Sequence, residues 1–184
     1  MYMIKKKTYY YTIFKTRCGY FGLCSTENGL FRTCLPVKSK SLCQKLLTKG
    51  LDNPAFKKLL LHPLQKVIID YYKGTYVDFK KSQIDWSQFT PFTMKVLQAC
   101  SKVTYGQTIT YKELARLAGW PKAIRAAAGV MARNPIPLLI PCHRILSSDG
   151  SLHGFSAPGG LKTKKKMLIL EKKGSGGVAS PHML

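Results

Sequence analysis

The sequence has few acidic residues and no long apolar segment. Its 184 residues include 8 Asp and Glu against 30 Lys and Arg, which gives a formal net charge of +22. Such a charge attracts phosphate backbones or anionic membranes, and it indicates partners rather than a fold. Solvated surface lysines are the simpler alternative explanation. No apolar run reaches the ~18 residues of a membrane-spanning helix, so we expect no contact with the interior of a membrane.

The six cysteines lack the C-x-x-C spacing that is typical of zinc sites and thioredoxin-like motifs. The first residues are rich in Tyr and form a poor secretory signal. We therefore expect free thiols in a cytoplasmic protein, or in a nuclear one if the source is eukaryotic. A disulfide remains open among four N-terminal cysteines: Cys18, Cys24, Cys34 and Cys43.

Residues 1–85 predict an α/β N-terminal domain. Three segments are rich in β-forming residues: 8–15, 19–26 and 30–35. With the hairpin signal Asn28-Gly29 they predict an antiparallel three-stranded sheet. Helices are expected over 39–49 and 54–72, the second broken or kinked by Pro63, and a short strand over 76–79. No chemical motif is apparent in this domain.

Residues 86–174 predict a mainly α C-terminal domain. A T-x-x-E capping box at Thr110 begins a helix, Gly119 ends it, and Pro121 begins the next helix. Two helices joined by a tight turn are typical of helix-turn-helix DNA-binding motifs, and we expect a winged form of that motif. The remaining residues, 175–184, are expected to form a disordered tail.

The second of these helices, about 121–133, has two different faces. Its apolar stripe comprises Ile124, Ala127, Ala128 and Met131. The opposite face carries small and basic residues: Lys122, Arg125, Ala126, Gly129, Ala132 and Arg133. Small residues allow a close backbone approach and basic residues bind phosphates, which together predict a nucleic-acid-facing helix. Helix-promoting alanine packing is the alternative.

A proline-rich segment, 134–145, predicts a rigid turn at Cys142 and His143. Its prolines exclude a regular helix, and the apolar run before Pro141 should pass through the interior. A free cysteine beside a histidine is a candidate nucleophile, or else a packed core residue. Adjacent side chains seldom face each other, so a direct pair needs a bridging water or a sharp turn.

The chain beyond the cysteine supplies a loop and a last helix. Residues 147–160 are rich in Gly and Ser and predict a mobile loop that partly covers the site. The helix is expected over 161–173. Glu171 follows Met167 and Leu168 at helical spacing, so it either points inward as a partner of His143 or forms an exposed ion pair with a lysine.

The sequence Pro141-Cys-His-Arg144, after Asn134-Pro135 and with Arg125 on a preceding Ala/Gly-rich helix, resembles the O6-alkylguanine-DNA alkyltransferases (methylated-DNA–protein-cysteine methyltransferases). The likeness runs from about 92 to 174; the first ~85 residues match only in length and general α/β character. It implies direct, single-turnover repair, in which an O6-alkylguanine is flipped out of double-stranded DNA and its alkyl group moves irreversibly to Cys142. It implies no cofactor, no metal and no obligate protein partner, and a monomer is expected.

The resemblance also implies roles for individual residues. Cys142 would accept the alkyl group, and His143 and Glu171 would complete a Cys–water–His–Glu relay that activates the thiol. Asn134 would brace the active-site turn. Tyr111 would donate a proton or a hydrogen bond to N3 of the departing guanine.

Further roles concern DNA and the substrate pocket. Arg125 would fill the gap left by the extruded nucleotide, among these other DNA-facing residues: Thr110, Lys122, Ala126, Gly129 and Arg133. The pocket would be formed by Met131, Arg144, Ile145, Phe155 and Ser156. The loop 153–160 departs from many family members, with Phe155 and the sequence Ser-Ala-Pro-Gly-Gly.

Three other functions stay open from the sequence. A sensor that binds and flips alkylated bases without transfer would lack the acceptor cysteine. A Cys-His hydrolase would turn over repeatedly and would not need a basic helix. A helix-turn-helix transcription factor would lose nothing if Cys142 were replaced by alanine.

Overall fold

The computed structural model of the protein describes residues 7–174; the tail expected at 175–184 lies outside the described residues. The elements of the first half are β1 (Tyr10–Thr16), β2 (Gly19–Thr26), β3 (Gly29–Val37), α1 (Lys40–Thr48), β4 (Ala55–Phe56) and α2 (His62–Lys73). Those of the second half are α3 (Pro91–Ser101), β5 (Ile109–Thr110), α4 (Tyr111–Leu117), α5 (Ile124–Ala132), β6 (Ile145–Leu146) and α6 (Gly160–Gly174). Two short 3-10 helices are Trp86–Gln88 and Cys142–Arg144.

The predicted three-stranded antiparallel sheet is confirmed, and a fourth strand extends it. The order is β3-β2-β1-β4, and the short β4 pairs in parallel with β1. The β2–β3 hairpin turns at Gly29, whose φ of 129° is a conformation that favours glycine. A Cβ there would lie 2.8 Å from the carbonyl oxygen of Gln83. The hairpin can therefore pack closely against the chain that leads into the second half.

Two predictions for the first half are wrong. The helix expected over 54–72 begins only at His62, because Pro63 occupies its first turn, where a missing N–H group costs nothing. Residues upstream form β4 and turns instead. The strand expected over 76–79 is irregular chain, although Val77 and Phe79 pack against the core. Helix α1 lies within its predicted range.

The second half is mainly helical, as expected. The capping box of α4 is complete, with reciprocal bonds between Thr110 and Glu113, and Gly119 follows the helix with a left-handed φ of 91°. Helix α5 begins at Ile124 rather than at Pro121, because the chain first makes a turn in which the Ala123 amide donates to the carbonyl of Trp120. The role of this helix pair as a winged helix-turn-helix stays a prediction.

The observed burial corrects the predicted apolar stripe of α5. Ile124 is 37% exposed, and Ala128 is half-buried. The buried residues of α5 are Ala127, Val130 and Met131. Val130 therefore belongs to the buried face of α5, whereas Ile124, the first residue of the helix, is exposed.

One hydrophobic core joins the two halves of the chain. It contains Phe21 and Leu30 of the sheet together with Leu97, Ile140 and Met167 of the second half. A smaller cluster lies between the sheet and α1. All six cysteines are free thiols, and five of them are buried. Within residues 7–174, every helix is too short or too polar to cross a membrane.

Candidate active site

The turn before Cys142 is held by bonds within the proline-rich segment. The Ile140 amide donates to the carbonyl of Ile136 at 3.0 Å, and fully buried Leu138 takes a left-handed φ of 80°, which is strained for a residue with a Cβ. The Asn134 side chain spans the turn: Nδ2 donates to the Ile140 carbonyl at 2.8 Å, and Oδ1 accepts from the Ile136 amide at 3.0 Å. Asn134 is therefore placed where it can brace the turn.

A buried carboxylate, Glu171 of α6, gathers the polar groups behind the cysteine. Its Oε1 accepts from His143 Nε2 at 2.7 Å and from the Tyr71 hydroxyl at 2.8 Å. The Arg144 guanidinium donates to both carboxylate oxygens at 2.9 Å, and the Gly106 amide donates to Oε2 at 3.1 Å. The sequence left two alternatives for Glu171: an inward partner of His143 or an exposed ion pair with a lysine. The structure shows the first, since Glu171 is buried and bonded to His143.

The charges of this cluster fix the tautomer of His143. Burial alone would raise the pKa of Glu171, but His143 and Arg144 outweigh it and hold that pKa well below its usual range. An ionised carboxylate only accepts, so His143 Nε2 carries the hydrogen. Burial, partly opposed by Glu171, lowers the pKa of His143, so the ring is neutral at pH 7. Its Nδ1 is then a buried acceptor that bonds to no group within the described chain.

The Cys142 thiol, in a side chain that is 4% exposed, borders a cavity of about 190 Å³. Residues of the second half on the cavity wall include Met131, Asn134, Phe155 and Ser156. Burial raises the pKa of Cys142, and the Asn134 hydrogen bond and the Lys164 charge oppose this only in part. The thiol is therefore protonated at neutral pH and needs a base before it can attack.

Lys164 of α6 is a site residue that the sequence interpretation missed. It is fully buried, and Nζ donates to the Ile145 carbonyl at 2.6 Å and to the His153 carbonyl at 3.0 Å. Burial lowers its pKa to about 8. Lys164 precedes Met167 and Glu171 at helical spacing, so the inward stripe of α6 could have identified it. It was overlooked because the lysines around it make this part of α6 resemble a solvent-exposed helix surface.

Tyr71 is a second missed residue, because no chemical role was expected in the first ~85 residues. Its ring is fully buried, and desolvation together with the Glu171 charge raises the pKa of its hydroxyl well above the usual value. The phenol therefore stays a donor to Glu171. Nothing in the local sequence of α2 distinguishes it from the neighbouring Tyr72.

Tyr111 lies in the first turn of α4, mostly buried, and its hydroxyl donates to the His153 carbonyl at 3.2 Å. Burial raises the pKa of Tyr111 to about 12, so it keeps its proton. Ser156 donates to the carbonyl of Ala132, and Phe155 is buried. The loop after β6 is thus attached to the end of α5 beside the cavity.

Two predicted pocket residues lie elsewhere. Arg144 is turned away from the cavity because its buried guanidinium binds Glu171 and the Val103 carbonyl, and a buried guanidinium needs such partners. Ile145 is fully buried and its carbonyl accepts from Lys164. Both therefore support the site from behind.

The exposed side of α5 presents the predicted basic and small residues. Arg125, Ala126 and Arg133 are exposed, and Gly129 is half-buried. Lys122 is exposed in the turn before the helix. The Thr110 hydroxyl, in contrast, is engaged in the capping box of α4. The face can approach a phosphate backbone, whereas Thr110 contributes chiefly by starting α4.

The chain is similar to several known proteins. A family profile described as 6-O-methylguanine DNA methyltransferase, DNA binding domain, matches residues 91–173. The methylated-DNA–protein-cysteine methyltransferase of Methanothermobacter thermautotrophicus is 38% identical over 123 residues, covering 67% of this chain and 68% of that protein. That of Methanosarcina barkeri is 32% identical over 163 residues, covering 89% and 97%. Several further relatives align over 79 to 92 residues, so this chain spans only 37% to 45% of their length.

The fold is also similar to a solved one over both halves of the chain. The crystal structure of the Mycobacterium tuberculosis O6-methylguanine methyltransferase matches with a TM-score of 0.72 at 25% identity. The match covers 90% of this chain and 94% of that chain. The similarity therefore extends into the N-terminal sheet, which lies outside the residues 91–173 matched by the family profile.

Proposed function

Because this chain belongs to the methylated-DNA–protein-cysteine methyltransferase family, we propose that it repairs DNA directly by transferring the alkyl group of O6-alkylguanine to Cys142. The observation that supports this best is the position of Cys142: it borders a cavity, and the next residue in the chain is a buried, neutral histidine that is bonded to an ionised carboxylate. Cysteine is suited to the task because its thiolate is a strong nucleophile.

Access to the lesion requires DNA binding and base flipping. The O6 position of a stacked guanine is out of reach of a buried thiol, so the nucleotide must leave the duplex at a cost of a few kcal/mol. The exposed face of α5 supplies small residues and basic groups for the phosphate backbone. Arg125, exposed within that face, fills the space that the flipped nucleotide leaves.

The transfer step uses the buried relay. A water between Cys142 and His143 Nδ1 carries the thiol proton to the imidazole, and Glu171 stabilises the resulting imidazolium through its bond to Nε2. The thiolate then attacks the alkyl carbon in line, so a C–S bond forms as the bond from O6 to that carbon breaks. Tyr111 donates to N3 of the departing guanine, which takes up the negative charge.

The product limits each molecule to one reaction. A thioether on Cys142 is not readily reversed, and the residues of the relay offer no group that removes it. We also propose a monomer that acts wherever the DNA is, in the cytoplasm or in a eukaryotic nucleus. The division into domains at 1–85 and 86–174, with a winged helix-turn-helix in the second, belongs to the same proposal.

Intact-mass measurement and peptide mapping after incubation with O6-methylguanine DNA test the function. We expect a gain of one methyl group on Cys142 in stoichiometric amount, and no gain in Cys142→Ala, which still binds the DNA. Binding without a mass change would instead indicate a lesion sensor. Repeated turnover would contradict both functions.

A further inference from the structure

The proline-rich turn before Cys142 depends on donors from outside itself. Pro135 and Pro137 have no N–H group, and their carbonyl oxygens still need partners once they are buried. Both partners come from one residue of the N-terminal sheet. The Thr33 amide donates to the Pro135 carbonyl at 2.9 Å, and the Thr33 hydroxyl donates to the Pro137 carbonyl at 2.8 Å.

These two bonds fix the turn at the points that position the acceptor cysteine. Pro135 lies between Asn134 and Ile136, whose mutual hydrogen bond braces the turn. Pro137 directly precedes Leu138, the buried residue with the left-handed φ. Strained backbone of this kind persists only when its surroundings hold it. Thr33, itself 7% exposed, is part of those surroundings.

The strand that carries Thr33 also forms part of the cavity wall. Four consecutive residues of β3 border the same cavity as Cys142, and Leu46 of α1 joins them: Arg32, Thr33 itself, Cys34 and Leu35. We propose that Thr33 is a positioning residue, through which the N-terminal sheet sets the place and the reactivity of the Cys142 thiol. This role adds a positioning residue to the proposed function. Only the transfer assay depends on the proposed function, because the reactivity of the thiol can also be measured without DNA.

Three variants separate positioning from general stability. Thr33→Val keeps the shape and the main-chain bond but leaves the buried Pro137 carbonyl without the hydroxyl. Thr33→Ser restores the hydroxyl. Thr12→Val is the matched control, since Thr12 is a buried threonine of β1 whose hydroxyl donates to the Lys58 carbonyl at 3.2 Å, within the first half of the chain.

We expect the Cys142 thiol to react more slowly in Thr33→Val and in neither of the other two variants. Single-turnover transfer from O6-methylguanine DNA should fall about tenfold in Thr33→Val, because small displacements of a reacting group are costly. Thr33→Ser and Thr12→Val should stay within about twofold of the wild type. The transfer rate of Thr33→Val should also reach its maximum at a higher pH than that of the wild type. The reason is that the hydrogen bond from Asn134, which lowers the pKa of Cys142, is loosened in this variant.

A second assay is independent of DNA. Modification of Cys142 by iodoacetamide, followed by peptide mapping, should slow in the same variant. If the wild type transfers no methyl group, the proposed function fails, and the iodoacetamide rates still decide the role of Thr33. Equal rates in Thr33→Val and Thr12→Val, for protein shown to be folded by near-UV circular dichroism, overturn the role. Should Thr33→Val not fold, Thr33→Cys, a weaker donor of similar size, takes its place, and a wild-type rate in it overturns the role as well.

Discussion

The cluster around Glu171 and the exposed face of α5 contrast in how their polar groups are satisfied. Both oxygens of the buried Glu171 carboxylate are bonded, by four donor residues from three separate parts of the chain. Arg125 and Arg133, on the outer side of α5, are exposed to solvent. The first region is closed and fixed; the second is open.

The difference fits the function that we propose for each region. A relay that moves one proton needs a fixed tautomer and a fixed ring orientation, and buried, charge-assisted bonds provide both. A surface that meets DNA needs donors that remain free for phosphates until DNA arrives. Charged groups are therefore buried and paired in the first region and exposed to solvent in the second. Substitutions in the two regions should separate chemistry from binding.

The largest effect is expected from Glu171→Gln. An amide loses the negative charge that stabilises the His143 imidazolium, so single-turnover transfer should fall by roughly 10²-fold or more. The affinity for undamaged DNA should not change. The matched control is Asp85→Asn, which alters a buried carboxylate bonded to Lys7, Thr26 and Ser87, away from the cysteine. A comparable loss of transfer in that control would show that the loss follows from changing any buried carboxylate and is not specific to the Glu171 cluster.

A smaller effect is expected from Arg125→Ala. We propose that Arg125 fills the space left by the flipped nucleotide. Without its side chain, base flipping should become less favourable, and transfer from duplex DNA should slow about tenfold. Transfer from free O6-methylguanine base, which needs no flipping, should keep its rate. Rapid-quench measurements with both substrates decide the matter, and equal slowing with both would place Arg125 in the chemistry instead.

The smallest effect is expected in the way the free energy of unfolding depends on pH. The folded-state pKa of Glu171 lies below its unfolded value, so its contribution to the free energy of unfolding is present above about pH 4.5 and is lost as the pH falls. The melting temperature of the wild type should therefore drop more steeply below that pH than that of Glu171→Gln. Arg125→Ala should follow the wild type at every pH, and a parallel course of all three proteins would show that Glu171 is not a stabilising carboxylate.

Local signals predicted many of the elements correctly. The hairpin at Asn28-Gly29, the capping box at Thr110 and the glycine after α4 each depend on a few neighbouring residues. Their physics is local, since a turn or a helix end is determined by the conformational preferences of its own residues. The start of α2 and the strand β4 were missed, because a proline is compatible with a first turn as well as with a break, and a strand exists only through its partner.

The cysteine, the histidine and the glutamate were predicted as site residues from the sequence, but the residues that contact them were not. Tyr71, Lys164 and Thr33 come from a helix, a lysine-rich run and a strand that carry no motif, and they reach the site through contacts far apart in the chain. Arg144 was assigned to the pocket from the family resemblance, whereas its guanidinium points to Glu171.

The amino-acid sequence by itself determined the family and the helical order of the second half, and it singled out Cys142 as the predicted acceptor, because motif chemistry and helix capping are encoded by residues close together. Only the tertiary structure decided which groups surround Glu171, which side chains border the cavity, and how the N-terminal sheet holds the proline-rich turn. Those relations depend on burial, where an unpaired polar group is costly and partners must be found from any part of the chain that folding brings near.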